Sequence, residues 1–153
     1  MKRYDKLIFV SNSNTLRGPM AEGIMKSKYL LGDLEIESRG LVVLFPEPIN
    51  QKAEAVLKSH GISMKNHRAE VLKEEDFDER NLILALDETD KLKIFENYEN
   101  AVNVYLLSAF VGSTEEIQNP LGGTLQDYGA CYELIESLIA KLVIKLNEEE
   151  LLC

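Results

Sequence analysis

The chain has 153 residues, 45% hydrophobic and 28% charged, with a net charge of −9, which is the size and balance of one soluble domain around one core. An acidic chain without a basic stripe repels nucleic acid and anionic membranes, and no apolar run reaches the ~18 residues that a membrane span needs. The two cysteines, Cys131 and Cys153, have neither metal-ligand nor redox spacing, so the sequence calls for no metal and no cofactor.

The first apolar run, Leu7-Ile8-Phe9-Val10, is too short for a signal-peptide core and lacks a cleavage site after it, which implies a cytoplasmic protein. Lys6–Val10 reads as a buried strand, and Ser11-Asn12-Ser13-Asn14-Thr15 as a polar turn. Arg17-Gly18-Pro19 opens a helical pattern that runs to Met25, with Pro19 suited to the first turn. Leu34–Ser38 alternates like a second strand. Ala53–His60 reads as a helix stopped by Gly61. Asn81–Leu86 is the continuous apolar run of a central parallel strand, followed by a helix from Asp87 to Tyr98. Val102–Leu107 gives a fourth strand, residues 118–124 a Pro/Gly-rich loop, and Leu125 to about Asn147 a long helix. The domain thus spans residues 1–147. Residues 148–153 form an acidic and apolar tail, with Glu148-Glu149-Glu150 read as frayed and solvated.

Strands alternating with helices imply an α/β fold of three layers: a central four-stranded parallel sheet with helices on both faces. Ligands bind such sheets at the carboxyl ends of the strands, which here means the loop after the first strand. Its residues are Ser11, Asn12, Ser13, Asn14, Thr15, Leu16 and Arg17. Backbone N–H groups converging there, with a helix dipole behind them, would make an anion nest, and Arg17 would add a bidentate grip. The same residues also fit an ordinary strand-to-helix turn with a surface arginine.

The wider pattern is more specific. Phe9 to Glu22 resembles the signature loop of low-molecular-weight protein tyrosine phosphatases: Cys, five residues, Arg, Ser or Thr, then Pro. Asn14, Arg17, Pro19, Ala21 and Glu22 fall on matching positions. Ser38-Arg39-Gly40 is similar to the family's Ser-Ala-Gly, and Gly61-Ile62 with His67 and Ala69 to its Gly-Ile…His…Ala segment. Leu82–Asp87 resembles its central strand and Asn119-Pro120-Leu121-Gly122-Gly123 its Asp-Pro loop. The resemblance covers about 140 residues in register.

That resemblance implies a mechanism this chain cannot follow as written. The family attacks phosphorus with a thiolate, and the Asp-Pro aspartate protonates the leaving group and then activates water. Here the nucleophile position is Ser11 and the general-acid position is Asn119. A serine hydroxyl needs an adjacent base, none of which the sequence assigns, and an amide donates no proton to an alkoxide. Losing acid catalysis alone costs ~10²–10⁴ in rate. Ser13, Leu16, Gly18 and Leu121 also depart from the family's Gly, Cys, Ser/Thr and aromatic residue. So many departures favour natural loss of chemistry over a deliberate Cys-to-Ser trap.

The resemblance further implies that Asn14, Ser38 and His67 brace the loop through a shared polar network. Thr15 matches the protein arginine phosphatase branch, and Leu121 shrinks the wall that suits phosphotyrosine. Arg39 is an accessory cation, read chiefly as exposed or salt-bridged and secondarily as a phosphate contact. Asp127 reads as a helix cap and His60 as a contact for a helix C-terminus. The sequence therefore favours a pseudophosphatase binding phosphate, sulfate or a phosphorylated protein side chain. Its alternatives are an active phosphatase of atypical mechanism, on phosphotyrosine or phosphoarginine, and a non-catalytic scaffold. Arsenate reduction lacks the redox cysteines.

Overall fold

Leu7, Ile8, Phe9 and Val10 are all shielded from solvent, so the strand they form has both faces covered. This is the pattern of an interior parallel strand. A computed structural model describes residues 2–149 and 151–152. Its four strands are β1 (Lys6–Ser11), β2 (Glu35–Gly40), β3 (Asn81–Ala85) and β4 (Val104–Leu106). They pair in parallel in the order β2-β1-β3-β4. The register sets Ser11 beside Gly40 and Val10 beside both Arg39 and Ala85.

The period of two along a strand splits the core. Leu7, Phe9, Leu82 and Leu84 pack under α1 (Arg17–Lys26), α2 (Gln51–Ser59) and α5 (Leu125–Glu148). Ile8, Val10, Ile83 and Ala85 face Leu72, Phe77 and Ile94, the last carried by α3 (Glu88–Asn97). The expected three layers are therefore present.

Caps explain where several helices start. Asn50 accepts bonds from Lys52 N and Ala53 N, so α2 opens two residues before the expected Ala53. Asp87 caps α3 through the N–H of Asp90. Thr124 and Asp127 form a capping box at α5, as read for Asp127. Gly61 ends α2 with φ 77°, as its type suggested.

Three readings need correction. Ser11 belongs to β1 and not to the turn. The fourth strand is only Val104–Leu106, because Leu107–Phe110 winds into a short helix, α4, that tucks Leu107 into the core. A 3-10 turn at Glu74–Asp76 was also missed. Glu148 and Glu149 are exposed, and Glu150 lies outside the described residues. Beyond them Leu152 is only 3% exposed, and the carbonyl of Leu151 accepts bonds from Arg3 N and Tyr4 N.

Candidate functional site

Because β1 lies inside the sheet, its carboxyl end delivers Ser11 to the centre of the molecule's top edge. The chain must then reverse into α1, and Asn14 makes the turn with φ 60°, a left-handed conformation that Asn tolerates. Asn14 is fully buried. Its Oδ1 accepts from Glu70 N at 3.0 Å, and its carbonyl accepts from His67 Nε2 at 2.7 Å. The hydroxyls of Ser13 and Thr15 lie 2.7 Å apart.

Several of the loop's carbonyls are taken by backbone donors outside it. Leu41 N donates to Ser11 O and Asn12 O, Val42 N to Asn12 O, and Asn50 N to Thr15 O. Among the described residues, no backbone N–H from Asn12 to Gly18 is donated to a protein acceptor. The N-cap of α1, Leu16, supplies no side-chain bond. This is the arrangement of an anion nest at a helix N-terminus.

Arg17 is 5% exposed. Its Nη1 donates to the carbonyl of Ile117 at 2.8 Å and lies 2.8 Å from Asp87 Oδ2. Its Nη2 lies 3.6 Å from Asp90 Oδ2. The guanidinium thus joins the first loop, the start of α3 and the segment leading to Asn119. Burial, and secondarily the charge of Asp87, pushes the Asp90 carboxyl up to about 6 despite the opposing pull of Arg17.

Three buried side-chain atoms among the described residues have no hydrogen-bond partner: Ser11 Oγ, Asn14 Nδ2 and Asp90 Oδ2. Two belong to the loop and the third faces Arg17. Buried polar groups are seldom left so, and here they are concentrated around the end of β1 and Arg17. A Cβ built on Gly18 would sit 2.7 Å from Ser11 Oγ and 3.4 Å from Asn14 Nδ2. Both orphaned groups therefore border the space that a side chain at residue 18 would occupy.

The remaining predicted residues fall in different places. Ser38 is buried, but its hydroxyl donates to Glu22 Oε1 at 2.6 Å. It braces α1 and not Asn14, so the expected three-membered network reduces to Asn14 and His67. Arg39 binds Glu37 Oε2 at 2.9 Å and the Ser38 carbonyl at 2.8 Å, with Asp76 and Glu70 nearby. It is salt-bridged, the first of its two readings. Asn119 is exposed, and its Oδ1 accepts from Leu121 N at 3.1 Å. With Leu121, 67% exposed, it borders a groove of about 530 Å³ whose floor includes Cys131. Burial pushes the Cys131 thiol up to about 11, far from reactive; Cys153 lies outside the described residues. His60 stacks on Tyr132 and reaches the Val56 carbonyl at the end of α2.

Sequence reasoning missed Asp87, Asp90 and the Ile117 carbonyl as partners of Arg17. The available signal was two acidic residues three apart at the carboxyl end of the central strand β3, where the fold places ligand sites.

Residues 6–151 match the low molecular weight phosphotyrosine protein phosphatase family, and the chain belongs to that family. It is 34% identical over 140 residues to a low molecular weight protein-tyrosine-phosphatase, PtpB, of Staphylococcus epidermidis, covering 92% of this chain and 98% of that one. The YwlE arginine phosphatase structure from Geobacillus stearothermophilus is 34% identical, with a TM-score of 0.87 and 95% of each chain covered. A second YwlE arginine phosphatase structure, a cysteine-to-serine mutant with a phosphorylated active-site serine, is 27% identical with a TM-score of 0.88, covering 97% and 99%. No helix among the described residues is long and apolar enough to cross a membrane.

Proposed function

We propose that this chain is a phosphoryl-binding member of the family that takes a phosphorylated protein side chain into the Ser11–Arg17 loop and turns it over poorly or not at all. What supports this is the pairing of a loop with undonated N–H groups and Ser and Asn at the nucleophile and general-acid positions. The N–H groups from Asn12 to Gly18 are donated to no protein acceptor among the described residues, Arg17 is buried beside them, and Ser11 Oγ has no hydrogen-bond partner and so no base. Asn119 carries no transferable proton, and its amide oxygen is committed to a turn. Serine attack thus lacks both the deprotonation and the leaving-group protonation that the family route needs.

A second reading is an active protein phosphatase that uses Ser11 as nucleophile, and the comparisons favour it over the first. The relatives carry phosphatase names, and the neighbour with a phosphorylated serine supports phosphoryl transfer to a hydroxyl at this position. The relative named a protein-arginine-phosphatase, 33% identical over 147 residues, together with Thr15, supports phosphoarginine beside phosphotyrosine as substrate.

One experiment separates the two. Release of phosphate from p-nitrophenyl phosphate, a phosphotyrosine peptide and a phosphoarginine peptide is followed for the wild type, Ser11→Ala and Ser11→Cys/Asn119→Asp. The first reading predicts activity only in the double variant, at least ~10²-fold above wild type. Wild-type turnover matching the double variant, and lost in Ser11→Ala, establishes the second reading and removes the first.

A further inference from the structure

Arg17 is neutralised twice over on its inner side. Asp87 Oδ2 holds Nη1 at 2.8 Å, and Asp90 Oδ2 stands 3.6 Å from Nη2, beyond hydrogen-bond length. Both carboxylates belong to the start of α3, where the backbone N–H of Asp90 already binds Asp87 Oδ1. Asp90 is 2% exposed and its Oδ2 has no hydrogen-bond partner. The charged groups acting on it are Arg17 from α1 and Asp87 and Lys93 from α3. With both carboxylates ionised, the pocket behind the anion loop carries one negative charge in excess of Arg17. An anion entering the loop would meet a cation already spent.

We propose that Asp90 is a proton-coupled positioning residue: anion binding in the Ser11–Arg17 loop is accompanied by uptake of one proton on the Asp90 carboxyl. This rests on the loop binding anions, as proposed above. Protonation leaves Arg17 with a single inner counter-charge, Asp87, and directs the rest of its field to the ligand. Reciprocity follows from linkage: a new negative charge beside Arg17 raises the proton affinity of Asp90, so a protonated Asp90 raises the affinity for the anion by the same factor. The burial that lifts this carboxyl to about 6 places the effect near neutral pH.

Sulfate is the probe, because it remains a dianion across the range and any pH dependence belongs to the protein. Titration calorimetry of wild type and Asp90→Asn is run between about pH 5 and pH 8 in buffers of different ionisation enthalpy. The expected result is wild-type affinity falling by roughly tenfold or more as pH rises, with proton uptake on sulfate binding that peaks at about pH 6.5–7, at about half a proton for tenfold coupling and closer to one for stronger coupling. Asp90→Asn, close to isosteric, is expected to bind with a flat profile and no uptake through this range. Wild-type binding that is flat in pH, without proton uptake, overturns the inference alone. So does a pH dependence that persists in Asp90→Asn. Absence of sulfate binding in both chains overturns the anion-loop reading and this inference together.

Discussion

His67 Nε2 donates to the carbonyl of Asn14 across 53 residues of chain, at 2.7 Å. The bond pins the one non-glycine residue that the Ser11–Arg17 loop holds in a left-handed conformation. Replacing Asn14 separates two contributions. Asn14→Gly keeps the conformation but loses the Oδ1 bond to Glu70 N, for about 1–2 kcal/mol. Asn14→Ala adds the left-handed penalty of about 1 kcal/mol or more. Urea unfolding of both variants checks the order. Equal losses would mean that backbone conformation is not what Asn14 provides.

A hydroxyl at residue 18 is expected to be stabilising. Ser11 Oγ and Asn14 Nδ2 are buried, unpartnered and both close to Gly18. Gly18→Ser gives each a partner once Ser11 rotates to clear the new Cβ. Satisfying two such groups is worth about 1 kcal/mol or more net, or ~2–4 °C in Tm for a chain of this length. Gly18→Ala supplies the crowding without the hydroxyl and is the control. A Tm no higher for Gly18→Ser than for Gly18→Ala rules the account out.

The buried end of the chain makes a third expectation. Leu152 packs with Leu7, Met25 and Leu146 in the main core, and a side chain at Gly32 would collide with its carbonyl. Leu152→Ala is expected to cost ~2–3 kcal/mol, as for other buried leucines. A midpoint shift below a few tenths of a kcal/mol would return this segment to the solvated tail that its acidic neighbours suggested.

The contrast between Leu152 and the strands shows what local pattern can and cannot carry. The strand Asn81–Ala85 was legible because a strand covered on both faces reads as a near-continuous apolar run, here Leu82 to Ala85. Leu152 was not, because a three-glutamate run beside it outweighs two leucines in any short window. The loop was legible through its resemblance to a family signature on which Asn14, Arg17 and Pro19 fall in register; by themselves its residues also fitted an ordinary strand-to-helix turn. The partners of Arg17 were hidden for the opposite reason. Asp87, Asp90 and the Ile117 carbonyl lie 70 to 100 residues away, and only the β1-β3 adjacency and the packing of the Asn119 loop bring them together. Ser38 misled in the same way. Its type matched the expected network, but the nearest acceptor across the β2–α1 contact is Glu22.

Asp90 also makes a prediction about folding in the absence of any ligand. Its carboxyl is lifted from 3.8 to about 6 in the folded chain, chiefly by burial. A raised folded value means that folding binds the proton more tightly than unfolding does. The associated stability is therefore fully present below the unfolded value of 3.8 and is lost as pH rises through about 6. Above that, the folded state carries an ionised carboxylate that Arg17 does not fully repay, at a cost of up to roughly 3 kcal/mol. Asp90→Asn removes this cost without changing shape, and Asp87 still holds Arg17. The variant is expected to be more stable than wild type near pH 8, by ~1–3 kcal/mol, and to lose that advantage near pH 4. Urea unfolding at the two pH values measures it. A variant weaker than wild type at pH 8 would show that Asp90 binds Arg17 more strongly than burial opposes its charge, and the direction of the shift would be wrong.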